Sequence, residues 1–252
     1  MQACLLAIVT IVIIIPVNAQ DQVGGTIMYQ QTTSYSFPPT GNPEWDEYAK
    51  TLPTEGQFDK VLYFTTDFSL YEEPTFEKEA MSEMEMKAYY MARHGKAPRP
   101  ELKRMYCDFN KNSRTEQLDF MTREFLLEEE IPAMNWRLSP SRKKVLDYTC
   151  MEAVLLSDED TIKAWFTPEI PVSTGPAEYF GLPGVVLAVE KNNETIYLAT
   201  LIELAVPGEE LLVEPEDGKK VTRDEMDQII REKTEEYHKT VASKGARSNI
   251  HK

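Results

Sequence analysis

The sequence predicts a mainly β fold of the α+β class: a curved antiparallel sheet or open half-barrel, with an inserted helix and a C-terminal helix. Three observations carry this. Short runs rich in β-branched and aromatic residues recur along most of the chain, divided by Gly, Pro and Asn. One segment, Thr75–Arg93, is instead rich in Glu, Met, Lys and Ala, which favour helix. The last segment opens on Thr222 with Glu225 three residues on, a capping box, and then spaces Met226, Ile229, Ile230, Lys233 and Tyr237 as one helical face.

Taken in order, Val23–Thr33 reads as the first strand. Phe37–Pro43 is a breaker cluster and therefore loop, and Trp45–Leu52 is a short helical turn. Val61–Thr65 and Phe68–Tyr71 are strands. The Thr75–Arg93 helix stops before Gly95 and the Pro98-Arg99-Pro100 break. Strands return at Arg104–Phe109, Gln117–Phe120 and Arg123–Leu127, with a turn at Asn112-Ser113. Trp136–Leu138, one long strand Lys144–Leu156, Thr161–Thr167, Gly184–Glu190 and Thr195–Ala205 complete the series. Lys191-Asn192-Asn193 suits a hairpin between the last two. The terminal helix is expected to pack one face on the sheet, with docking onto a partner as the alternative, and the tail beyond about residue 242 is expected to fray. The organisation is then a leader over 1–19, one domain over 20–244 and a flexible tail over 245–252.

Leu5–Ile15 is apolar except for Thr10, too short to span a bilayer and about the length of a secretory signal core. Val17-Asn18-Ala19 offers a cleavage site, so a mature chain beginning at Gln20 is expected in an extracytoplasmic, periplasmic or outer-membrane setting. No later segment is apolar enough to cross a membrane. Met1–Ala19 has no charged residue, so the formal net charge of -15 belongs wholly to the rest. Such a surface repels nucleic acid and anionic lipid.

After cleavage two cysteines remain, Cys107 and Cys150, both on apolar faces of predicted strands. An oxidising compartment permits a disulfide between them, contributing roughly 3–4 kcal/mol in the chain-entropy account. Two buried thiols acting as small hydrophobes are the alternative.

Catalytic chemistry has little to stand on. There is no Gly-x-Ser-x-Gly, His-Glu-x-x-His or Cys-x-x-Cys. Ser141-x-x-Lys144 matches a Ser-Lys spacing by letter only, without a helix to fold the lysine back over the serine. Asp158-Glu159-Asp160 and Glu128-Glu129-Glu130 lack the spaced ligands of a calcium loop. Met81, Met84 and Met91 with His94 could share a helical face, and thioether sulfur suits Cu(I). The competing account is adaptable packing by methionine. No cofactor is expected, with copper as the alternative.

Four blocks in order resemble one family. They are Asp147-Tyr148-Thr149-Cys150-Met151-Glu152-Ala153, Ala164-Trp165-Phe166-Thr167-Pro168-Glu169-Ile170-Pro171, Gly175-Pro176, and Gly181-Leu182-Pro183-Gly184. Together they are similar to the GLPGLI family of exported Bacteroidota proteins. Asp147 stands where the family block has glycine, and Val185-Val186 replaces Leu-Ile. The resemblance implies a β-rich exported fold, an outer-membrane-facing role and partnership with TonB-dependent machinery. It carries over no catalytic residue.

Pro168 and Pro171 end or edge a strand, and Pro183 with Gly184 shapes the entry to the next. The intervening segment is therefore expected to be a rigid, irregular loop, either closing the core or presenting a binding surface. Its candidate binding residues are Trp165, Thr167, Glu169, Pro171, Gly175, Pro176, Gly181, Leu182, Pro183 and Gly184. The function expected is non-enzymatic: a binding or accessory protein holding an envelope protein, a peptide or an apolar ligand against the sheet or this loop. Soft-metal handling is the second expectation and a hydrolase built from scattered carboxylates the third.

Overall fold

A computed structural model describes residues 23–74, 81–94, 98–156, 160–192 and 194–248. The strands are β1 (Gly24–Ser34), β2 (Glu55–Thr65), β3 (Phe68–Glu72), β4 (Glu101–Asp108), β5 (Ser113–Phe120), β6 (Arg123–Glu130), β7 (Arg137–Val145), β8 (Tyr148–Leu156), β9 (Thr161–Thr167), β10 (Val185–Lys191), β11 (Glu194–Glu203) and β12 (Lys219–Lys220). The helices are α1 (Pro43–Ala49), α2 (Glu83–His94) and α3 (Arg223–Ser248). Among the described residues the strands form one open sheet in the order β12-β6-β5-β4-β3-β2-β1-β11-β10-β9-β8-β7. Every pairing is antiparallel except the short parallel contact of β12 with β6. No helix among the described residues is long and apolar enough to cross a membrane. The expected signal segment, residues 1–19, lies outside the described residues, as do 75–80 of the first predicted helix.

The sheet bends. Tyr71 on β3 and Tyr197 on β11 are three strand spacings apart, about 14 Å on a flat sheet. Their rings nevertheless meet at 6.3 Å. A predominantly apolar cluster fills the bend, from Met105 and Cys107 on β4, through Tyr29, Leu62 and Phe64, to Ala164 and Phe166 on β9. The outer edge strand β7 is blunted by Pro140 and by Arg137, Arg142, Lys143 and Lys144, which discourage pairing with another chain. Ser141 and Lys144 both lie on strand β7, so no helix folds the lysine back over the serine.

The terminal helix follows its capping box. The Thr222 N–H donates to Glu225 Oε2 at 2.8 Å and the Glu225 N–H to Thr222 Oγ1 at 3.2 Å. Met226 is fully buried against Leu118, Phe120, Phe125 and Leu127, with Ile229 and Ile230 beside it. One face of α3 thus covers the β5–β6 end of the sheet.

Four expectations are corrected. Helix α2 begins at Glu83, because Ser82 and Glu85 form their own capping box, with the Ser82 N–H donating to Glu85 at 2.8 Å. The single strand expected over 144–156 is two strands. Leu146, at φ 52°, turns the chain with Asp147 between the paired Val145 and Tyr148. Helix α3 runs through Ser248, so the helical stretch includes residues expected to fray and half of the tail expected from 245. Cys107 and Cys150 are free and buried. They sit on β4 and β8, with β3, β2, β1, β11, β10 and β9 between them in the sheet.

Burial pushes both thiols up to about 11, so neither forms appreciable thiolate near neutrality. Native chain beginning at Gln20 is expected to resist iodoacetamide and to take two labels once denatured. Absence of labelling in the denatured, unreduced protein would restore the disulfide.

Candidate functional site

The segment between β9 and β10 is irregular and mostly inward-facing. Ile170, Val172, Tyr179, Phe180 and Leu182 are all buried, and they fill the bend of the sheet. Backbone bonds two residues apart tighten it: Val172 N–H to Ile170 O, Thr174 N–H to Val172 O, and Gly184 N–H to Leu182 O. Val185 N–H returns to Ile170 O, Val186 N–H to Thr174 O, and the Trp136 indole N–H caps Phe180 O at 2.8 Å.

This burial separates the candidate binding residues. Trp165, Thr167, Gly175, Pro176, Leu182 and Gly184 are enclosed and serve as core. Trp165 donates its indole N–H to Glu190, and Lys143 stands 4.2 Å over its ring. Glu169, Pro171, Gly181 and Pro183 stay exposed along the loop's outer side. Even there Glu169 is engaged, accepting from the Thr149 N–H at 3.0 Å. The methionines also diverge. Met84 is exposed, whereas Met91 packs on the Tyr35–Leu52–Ala88 cluster and Met81 is half-buried. The side chain of His94 lies outside the described set. Among the described residues no three His, Cys, Asp or Glu side chains converge on a metal position.

A different place gathers polar groups against aromatic walls. Residues directly opposite on antiparallel strands share a face. Tyr29 faces Lys60, Gln31 faces both Phe58 and Tyr197, and Leu62 faces Tyr71. Tyr29 and Leu62 belong to the core, so Gln31, Phe58, Lys60, Tyr71 and Tyr197 all point to the inside of the bend. A cavity of about 400 Å³ opens over them, walled by Tyr35, by Tyr89 of α2 and by the Arg99–Leu102 segment. The Phe58 and Tyr89 rings meet at 5.6 Å, and Tyr197 touches Tyr179 of the loop at 5.8 Å.

Lys60 is the unusual member. Its residue is only 6% exposed, yet it carries an ammonium among rings. One bond, 3.0 Å to the half-exposed Glu73, is its sole partner among the described residues. An ammonium has three donors, so two remain unmatched. The Tyr35 hydroxyl is likewise buried with no hydrogen-bond partner among the described residues, and the buried Tyr71 hydroxyl has only that of Tyr197 beside it. Burial, then the neighbouring Tyr197, holds Tyr71 well above the ordinary tyrosine range. Burial, then Glu178, does the same for Tyr197. Tyr35 is raised by burial, then by Tyr89. The cavity thus has unmet hydrogen-bonding capacity behind an aromatic lining. A signal for it exists in the sequence: Lys60 interrupts the inward alternation Phe58, Leu62, Phe64.

A larger opening, about 920 Å³, lies where β6 meets the start of α3. There Arg114 and Arg223 each bridge Glu116 and Glu129. These charges pair with one another and fasten helix to sheet, with the buried Arg114 Nε–H left without a partner among the described residues.

Comparison with known proteins finds similarity at the loop and in the fold. A family described as a protein of unknown function (Porph_ging) matches residues 154–188. That span holds β9, the irregular loop and the first strand residues after it. No curated protein matches the chain. Among solved structures, PNGF-II in two crystal forms, C2 and P21, is similar in fold, each with a TM-score of 0.54 over 84% of this chain. Identity is 13% and 14%, and the match spans 33% and 34% of the PNGF-II chain, so this chain corresponds to about a third of that protein.

Proposed function

We propose that this chain is an exported, GLPGLI-like envelope protein that binds a small ligand without transforming it, in the tyrosine-walled cavity inside the bend. The observation that carries the reading is Lys60: a buried ammonium with one partner among the described residues, lining a cavity whose wall also holds the buried Tyr35 and Tyr71. Burying such groups costs roughly 1–3 kcal/mol each when unsatisfied, and a bound molecule that supplies partners recovers that cost. Binding rather than catalysis is favoured because burial and neighbours push Tyr35, Tyr71 and Tyr197 away from the range in which a hydroxyl ionises near neutrality. The GLPGLI resemblance supports an envelope location and cooperation with TonB-dependent machinery. N-terminal sequencing of secreted protein should read from Gln20; retention of residues 1–19 would contradict export by cleavage.

The binding reading is tested with Lys60→Met. Removing a buried charge whose partner Glu73 is half exposed leaves that partner hydrated, so Tm should stay level or rise. Native mass spectrometry of gently purified protein should show a bound small molecule in the parent chain and at least tenfold lower occupancy in Lys60→Met. Equal occupancy in both would contradict the assignment.

A further inference from the structure

We infer that the ligand held in this cavity is a neutral saccharide, an inference that rests on the binding reading above. Charge comes first. Lys60 is balanced by Glu73, and the lining also holds Arg99 and Glu101, the latter paired with Lys103, so it brings together two formal cations and two formal anions. An anionic ligand would approach a protein of net charge -15 and compete with Glu73 for Lys60. A cationic ligand would be desolvated against the Lys60 ammonium. A neutral ligand meets neither obstacle.

Hydrogen bonding then excludes a purely apolar molecule. Such a ligand would seal off the Lys60 ammonium with Glu73 as its one partner among the described residues. Lys60 offers donors only, whereas tyrosine hydroxyls and the Gln31 amide both donate and accept. The matching ligand carries many groups that do both, as sugar hydroxyls do. The walls add a shape requirement. Phe58, Tyr71, Tyr89 and Tyr197 present rings inclined to one another, so the ligand needs flat apolar faces between its polar edges. A pyranose ring has both. The volume, about 400 Å³, lies within the range of small-molecule sites and suits a mono- or disaccharide.

The test is an array of immobilised neutral, anionic and aminated oligosaccharides, followed by calorimetry with the free disaccharide that binds best. The parent chain should retain neutral sugars in preference to uronic-acid or glucosamine oligomers. Lys60→Met and Tyr89→Ala, the second on the α2 wall and outside the main core, should each weaken binding at least tenfold while circular dichroism stays unchanged. Preference for a charged oligomer, or no retention of any neutral sugar, overturns the saccharide inference. If a co-purified molecule of other chemistry is lost in Lys60→Met, the cavity reading stands and only the saccharide falls. If a neutral sugar binds equally to both variants, the cavity assignment falls as well.

Discussion

Gly184→Ala is expected to destabilise the protein by about 4 kcal/mol, enough to leave much of it unfolded at 37 °C. Gly184 sits at φ 153°, a conformation L side chains rarely adopt. A Cβ there would overlap Thr167 O and come to 3.0 Å from Pro168 Cα. Both neighbours are backbone, and Thr167 is paired with Val185 in the β9–β10 ladder, so neither can rotate aside. Relief requires the loop to lift off the sheet, taking Ile170, Phe180 and Leu182 with it. Gly181→Ala is the internal control. Gly181 also has positive φ, 85°, but its Cβ position is open, with Met134 Cβ nearest at 3.7 Å. Only backbone strain of about 1 kcal/mol is expected there. Urea midpoints separate the two substitutions. Equal, small shifts would show that the loop is not wedged against β9.

The second large effect is expected at Arg223→Met, about 2 kcal/mol. Arg114 and Arg223 share Glu116 and Glu129, with Arg223 3.0 Å from Glu116. Losing one partner of a buried pair costs roughly 3–5 kcal/mol. Here Arg223 is more than a third exposed and Arg114 remains, so solvent screening reduces the loss. The pH dependence has a definite sign. Arg223 first, and also Arg114, hold Glu129 below the ordinary glutamate range. A carboxyl lowered on folding contributes stability above its unfolded value and loses it as pH falls through the folded one. The gap between parent and Arg223→Met should therefore be full at pH 7 and narrow below about pH 4.5. A gap that stays constant from pH 7 to pH 3 would remove the charge cluster from the account.

How much of this was legible follows from which forces are local. Breakers and alternation placed β9 at its observed ends, and the Thr222–Glu225 capping box placed the start of α3, because both signals act within a few residues. The Ser82–Glu85 box was equally local, yet the helix-favouring composition from Thr75 onward obscured it. The turn at Leu146 had no such signal, since leucine seldom takes positive φ and only the opposing strands hold it there. The loop motif was readable as shaped backbone. Its role as core filling was not, because that depends on what the bend leaves empty. The cavity needed the bend itself. Tyr71 and Tyr197 are 126 positions apart, and the β1–β11 register between them shifts at Met28/Tyr29. Lys60 among inward apolar residues was the one local clue.

The account turns on whether the tyrosine-walled cavity is where a ligand sits. The most direct measurement is a crystal structure of protein purified gently from cells, without added ligand. Density for a small molecule is expected beside Lys60 Nζ and between the rings of Phe58, Tyr89 and Tyr197. A ligand seated instead on the exposed side of the Glu169–Gly184 loop, with only ordered water beside Lys60, would contradict it.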